Sequence, residues 1–170
     1  NHILNFFHLE PGTIELQHTE FNLPACLEDV VSLQSPVAHK KGLELILLLG
    51  GNLPERIQGD QNGITRLLDI LINLAIQFTD NGHVFIEADC TEHEDRQELH
   101  IRVSDTGTGL SQEQHEQLFQ ASPRADNSST GRPGGKQPGL ATSKRLVTLL
   151  GGSISVKSKI GRGSEYSLSI

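Results

Sequence analysis

Two stretches of this chain place reactive residue types where a turn or a helix end would present them. In VSDTGTGL, residues 103–110, Asp105 closes a predicted strand and is followed by Gly107 and Gly109. A carboxylate at a strand end can accept charge-assisted hydrogen bonds, and the glycines let the backbone come close to whatever sits beside it. The same residues also make an ordinary Asp-Thr-Gly turn, which on this stretch alone is the simpler reading. In GGKQPGL, residues 134–140, Gly134, Gly135 and Gly139 lead into a predicted helix. A helix N-terminus offers free amides and the positive end of a dipole to an anion. Lys136 supplies charge there, or is simply an exposed lysine.

The elements that must hold these residues follow from apolar spacing. Ile3, Leu4, Phe6, Phe7 and Leu9 keep close to helical spacing until Pro11-Gly12 stops them. Pro24 opens a second helix in which Leu27, Val30, Val31 and Val37 recur on one side, closed by Lys40, Lys41 and Gly42, and a strand Leu43–Leu49 follows. Ile64, Leu67, Leu68, Leu71, Ile72, Ala75, Ile76 and Phe78 define a long amphipathic helix between Asp60 and Asp80. Asp80-Asn81-Gly82 turns into His83–Cys90, which pairs with Glu98–Val103 as a hairpin across a charged loop. Ser122 to Pro138 is rich in Ser, Gly and Pro and reads as a mobile lid or linker. A helix from Gly139 to Leu150, then the strands Ser153–Lys159 and Ser164–Ile170 around the turn IGRG, complete the chain. Interleaved helices and hairpins predict a mixed sheet covered on one face by helices.

At 170 residues the chain suits one domain with a short leading appendage. No apolar run approaches the roughly 20 residues that span a bilayer. The sequence starts at Asn1 and contains no methionine, as a piece of a longer polypeptide would. A formal charge of −7 and a pI near 5.6 argue against a surface that neutralises nucleic-acid phosphates. Cys26 and Cys90 lack CxxC spacing and read as reduced core thiols in a cytoplasmic domain.

Taken in order, the segments FFHLEPGTIEL, DNGHVFIEA, VSDTGTGL, LFQASPRADNSS, LATSKRLVTLLGG and GRGSEYSL resemble the successive boxes of histidine kinase catalytic domains. The match covers almost the whole chain and looks closest to hybrid phosphorelay sensor kinases of the GacS/BarA type. The resemblance implies the Bergerat fold, a two-layer α/β sandwich with a mixed β-sheet, helices on one face and a flexible ATP lid. Residues 1–16 would be the end of a dimerisation-bundle helix and its linker, and 17–170 the ATP-binding domain, with the lid at about 122–138. It further implies ATP and Mg²⁺ as cofactors, and transfer of the γ-phosphoryl group to a histidine of the adjoining dimerisation domain. The partners would be that phosphoacceptor domain, the receiver and phosphotransfer domains of the relay, and another sensor kinase where the domain acts in regulation. The fragment would be a monomer and its parent a homodimer in the bacterial inner membrane.

Carried over residue by residue, the resemblance makes Asp105 the acceptor for the adenine amine, with Gly107 and Gly109 close to the ring. The family's "NLxxNAxKFT" box, whose second Asn supplies an amide oxygen to Mg²⁺, falls without gaps on Ile70 and Leu74, and its Lys on Gln77. A hard cation needs oxygen, so Leu74 cannot serve. Asp69 and Asn73, four apart on one helical face, repeat the acid and amide types one residue earlier, but one residue is about 100° of rotation. They are either a displaced catalytic pair or a solvent-facing polar pair. The family's "GGTGLGL" survives as Gly134, Gly135, Gly139 and Leu140, with Pro138 removing an amide donor. Phe119 keeps the lid's first aromatic anchor, while Ser122 stands where relatives have the second. None of the eight histidines lies in the family's phosphoacceptor context, and His8 reads as a surface residue.

Two functions of different class fit these residues. One is a kinase domain with atypical metal handling and weak nucleotide binding in isolation. The other is a degenerate kinase-fold module that regulates a partner kinase without turnover. A gyrase- or MutL-like ATPase is disfavoured by the segment Phe7 to Leu16 and by the acidic balance.

Overall fold

The structure is a computed structural model that describes residues 16–94, 96–111, 113–114 and 140–170. The expected bundle-exit helix, the lid at 122–138 and the site candidates Phe119, Gly135, Lys136 and Gly139 lie outside the described residues.

Strand β1, Thr19–Asn22, runs straight into helix α1, Leu23–Lys40. Asn22 caps that helix, its side-chain oxygen accepting from the Ala25 amide at 2.8 Å, and Pro24 sits in the first turn, where no donor is lost. The buried line of α1 passes through Leu27, Val30, Val31, Gln34 and Ala38. Val37, expected on that line, is 47% exposed instead, because the core is met by its neighbours Gln34 and Ala38 and a helix turns about 100° per residue. Helix α2, Gln61–Phe78, starts at Asp60, whose carboxylate accepts from the Gly63 amide at 2.9 Å. It buries Ile64, Leu67, Leu68, Leu71, Ile72, Ala75 and Ile76, as the periodicity predicts, and also Ile70 and Leu74, while Phe78 at its end is only partly buried. Helix α3 is Leu140–Leu149. Among the described residues no helix is long and apolar enough to cross a membrane.

The main sheet has the order β2-β4-β5-β7-β6, with β2 Glu44–Leu49, β4 His83–Glu92, β5 Gln97–Asp105, β6 Ser153–Lys159 and β7 Gly163–Ser169. Strands β2 and β4 are parallel, and the β4–β5, β5–β7 and β6–β7 pairs are antiparallel, so the sheet is mixed, as expected. Alternate residues of the inner strands, Val84, Ile86, Ala88, Ile101, Val103, Tyr166 and Leu168, enter one core with the helices. Such one-sided burial is what period-2 alternation encodes. A second, two-stranded sheet pairs β1 with β3, Arg56–Gly59. It is absent from the sequence reading, because four-residue strands are too short to show alternation.

The order of the sheet fixes the site. The end of β5 lies between β4 and β7, so Asp105 emerges beside the β6–β7 turn and close to the last residue of α2.

Candidate functional site

Asp105 is the best-defined polar group of the site. It is 6% exposed, and its Oδ1 accepts from the Gly107 amide at 2.9 Å and the Ser164 amide at 3.2 Å. Its Oδ2 is buried and has no hydrogen-bond partner among the described residues. Burial pushes the carboxyl above the usual aspartate range, and the two backbone amides pull part of the way back. One oxygen is therefore held by the fold, and the other remains an acceptor that needs a donor.

The glycines after Asp105 are required by the protein itself. A Cβ at Gly107 would stand 2.1 Å from the Phe78 carbonyl oxygen at the end of α2, and one at Gly109 would stand 2.2 Å from the Lys159 carbonyl oxygen. Gly109 also has φ +71°, where side chains are rarely tolerated. The Thr108 amide donates to the Phe78 carbonyl at 3.2 Å, and the Gly161 amide to the Thr108 carbonyl at 2.8 Å. The Leu110 amide donates to the Ser158 hydroxyl at 2.7 Å, which itself lies 3.0 Å from the Ser164 hydroxyl. The loop after β5 is thus bonded on one side to α2 and on the other to the β6–β7 turn.

Ser158, Ser164 and Tyr166 have no place in the sequence-based site. The box GRGSEYSL points to the right turn, but nothing in that string says that Ser164 would hold Asp105. That contact joins residues 59 apart in the chain, and single-sequence spacing carries no such information.

The expected metal position holds hydrocarbon. Ile70 and Leu74 are 4% and 3% exposed and belong to the core. The displaced pair does not replace them. Asp69 accepts a hydrogen bond from the Gln34 side chain of α1, so it faces that helix, and the Asn73 amide donates back to the Asp69 carbonyl at 2.9 Å. These residues do not fit a magnesium ion, which takes several oxygen ligands. Among the described residues no group of three His, Cys, Asp or Glu side chains could hold a metal. Leu140, carried over as the last residue of the phosphate box, is fully buried at the start of α3 and is a core residue.

A cavity of about 580 Å³ lies elsewhere, among Leu16, Ile57, Ile64, Cys90, Leu99 and Leu150. Cys90 and Leu99 sit at the far end of the β4–β5 hairpin from Asp105, so this space is separate from the adenine candidate.

Residues 59–170 match the histidine kinase-, DNA gyrase B- and HSP90-like ATPases. The chain belongs to that family of ATPases. Within it, this is a catalytic domain of the sensor histidine kinase type. Sensor histidine kinase GacS of Pseudomonas protegens is 41% identical over 171 residues, covering 100% of this chain and 19% of GacS. The signal transduction histidine-protein kinase BarA of Escherichia coli is 34% identical over 167 residues, covering 98% of this chain and 18% of BarA. The crystal structure of full-length ShkA in complex with AMPPNP superposes with a TM-score of 0.75 at 28% identity, covering 93% of this chain and 32% of ShkA. The nucleotide-free catalytic domain of the histidine kinase ThkA shares the fold, with a TM-score of 0.70 at 23% identity over 91% of this chain and 95% of that domain. The chain spans about a fifth of the length of the curated kinases it matches.

Proposed function

We propose that this domain binds ATP with the adenine amine on Asp105, and that in its longer parent it presents the γ-phosphoryl group to a histidine of the dimerisation domain. The observation that carries the adenine assignment is the Asp105 carboxylate, buried with Oδ1 fixed by two amides and Oδ2 left without a partner. An exocyclic amine supplies the missing donor. The AMPPNP complex of ShkA supports nucleotide binding by the same fold.

In the transfer, an imidazole nitrogen forms a bond to the γ-phosphorus as the bond to the bridging oxygen breaks and ADP leaves. This chain's described residues contribute binding and orientation of the purine. The loop 105–110, bonded to α2 and to the β6–β7 turn, supplies a rigid floor. The residues present at the expected metal position do not fit magnesium. The cytoplasmic placement, an inner-membrane parent, and the receiver and phosphotransfer partners belong to the same proposal.

A second reading, the regulatory module without turnover, is favoured by one observation, the buried hydrocarbon of Ile70 and Leu74 at the metal position. Calorimetric titration with ATP and ADP, with and without Mg²⁺, separates the two. Measurable affinity that fails in Asp105→Asn supports the nucleotide site, whereas no heat with either nucleotide leaves only the regulatory module.

A further inference from the structure

Tyr166, the chain's only tyrosine, lies in the middle of β7 and is fully buried. Tyr166 pairs with Val103, and Ser104 pairs with Glu165, so the next residue, Asp105, comes opposite Ser164. The bond from the Ser164 amide to Asp105 Oδ1 bears that register out. Tyr166 stands two residues beyond Ser164 on the same covered face, which makes it a diagonal neighbour of Asp105 across the β5–β7 pair. Diagonal neighbours lie about 7–8 Å apart, within reach of an aromatic side chain. Both ends of this diagonal carry an unsatisfied atom. Asp105 Oδ2 is buried without a hydrogen-bond partner, and the Tyr166 hydroxyl approaches the Ser164 side chain without completing a hydrogen bond. Polar atoms buried so deeply are almost always paired, directly or through ordered water.

We propose that Tyr166 is a positioning residue for Asp105, its hydroxyl donating to the free carboxylate oxygen through one bridging water and so holding the carboxylate ready for the adenine amine. The inference deepens the nucleotide reading and rests on it for the ligand, but the coupling of the two side chains stands apart from any ligand. The Asp105 charge is felt at Tyr166, whose ionisation is pushed up to about 12 by burial first and by Asp105 second, with Ser164 opposing.

No other titratable side chain faces Asp105 among the described residues. β4 opposes it with Val84, and His83 is exposed at the strand's start. Glu165 and Arg102 pair with each other at 3.8 Å on half-exposed positions of β7 and β5. On α2, Asp69 is engaged by Gln34, and Arg66 is partly exposed. Lys144 and Arg145 of α3, and Lys159 and Arg162 of the β6–β7 turn, are exposed. The causes acting on the Asp105 carboxyl are burial and two backbone amides, with no charged side chain among them.

Tyr166→Phe removes one oxygen and keeps the ring. The test follows the Asp105 carboxyl carbon by NMR through an acid titration of the free 170-residue chain, and measures ADP affinity over the same pH range. A hydroxyl that donates to the carboxylate stabilises its charged form. Its loss therefore raises the Asp105 midpoint, by about half a pH unit, and weakens ADP binding about twofold near that midpoint and up to about threefold below it. The acid limb of ADP affinity moves up by the same amount, which a purely structural role for Tyr166 would not produce. An unchanged Asp105 midpoint in Tyr166→Phe overturns the proposal. If the midpoint moves but neither protein binds ADP, the coupling holds and the adenine assignment falls.

Discussion

At the scale of single residues, Asp105 carries the most specific expectation. Replacing a charge-assisted acceptor by an amide costs about 1.5–3 kcal/mol of binding, so Asp105→Asn is expected to weaken ADP binding about tenfold or more in calorimetric titration. An unchanged dissociation constant would place the purine elsewhere. Asp105 was legible in the sequence because a strand, an acidic residue and two glycines fall in one short string. The reason for the glycines was not. They answer to the carbonyls of Phe78 and Lys159, which lie 29 and 50 residues from the glycines they crowd and come near only when the sheet forms. Ser164 and Tyr166 escaped for the same reason, since only the β5–β7 pairing brings them beside Asp105.

At the scale of elements, α2 decides what the site can do. Its existence and buried stripe follow from apolar periodicity, and so does its start at Asp60. Its rotation does not, because a gapless count cannot tell which face meets α1. The structure turns Asp69 toward Gln34 and sinks Ile70 and Leu74 in the core. Mg²⁺ is therefore expected to add little to ADP affinity, and Asn73→Ala to leave it unchanged. Leu74→Asn, which returns an oxygen ligand at a cost in core packing, is expected to make binding depend on the metal. Clear Mg²⁺ dependence in the unmodified chain, lost in Asn73→Ala, would show the displaced pair to be the real ligands. The other end of α2 has no basic residue in its last turn. Lys41, beyond α1, supplies the missing charge, donating to the carbonyls of Ile76 at 2.7 Å, Thr79 at 2.9 Å and Gln77 at 3.3 Å. A cation there satisfies helix-end carbonyls and the negative end of the dipole. Lys41→Met is expected to destabilise the chain by about 1–2 kcal/mol in denaturant unfolding. The sequence places Lys41 at the end of α1, where its backbone amide does cap that helix, and only the packing of α1 against α2 shows that its side chain serves α2 as well.

At the scale of the whole molecule, the site and the fold pull in opposite directions. The sheet carries Asp105 into a covered position because the strand alternation that buries Val103 also buries its neighbour two residues on. Burial raises the carboxyl's midpoint above its unfolded value. For an acid shifted upward, the unfolded chain releases its proton at lower pH than the native one, so native stability falls as pH rises through the two midpoints and stays lowered above them. At neutral pH the free domain therefore bears the cost of a buried, charged carboxylate. The expected consequence is that Asp105→Asn, while losing ADP, melts higher than the unmodified chain at pH 7 in the absence of nucleotide. The difference should shrink as the pH is lowered through the carboxylate range, where the native aspartate takes up its proton. Thermal unfolding of both proteins between neutral and acid pH measures it. A lower melting temperature for Asp105→Asn at pH 7 would mean that the two amide bonds to Oδ1 outweigh the burial, and that Asp105 serves the fold before it serves a ligand.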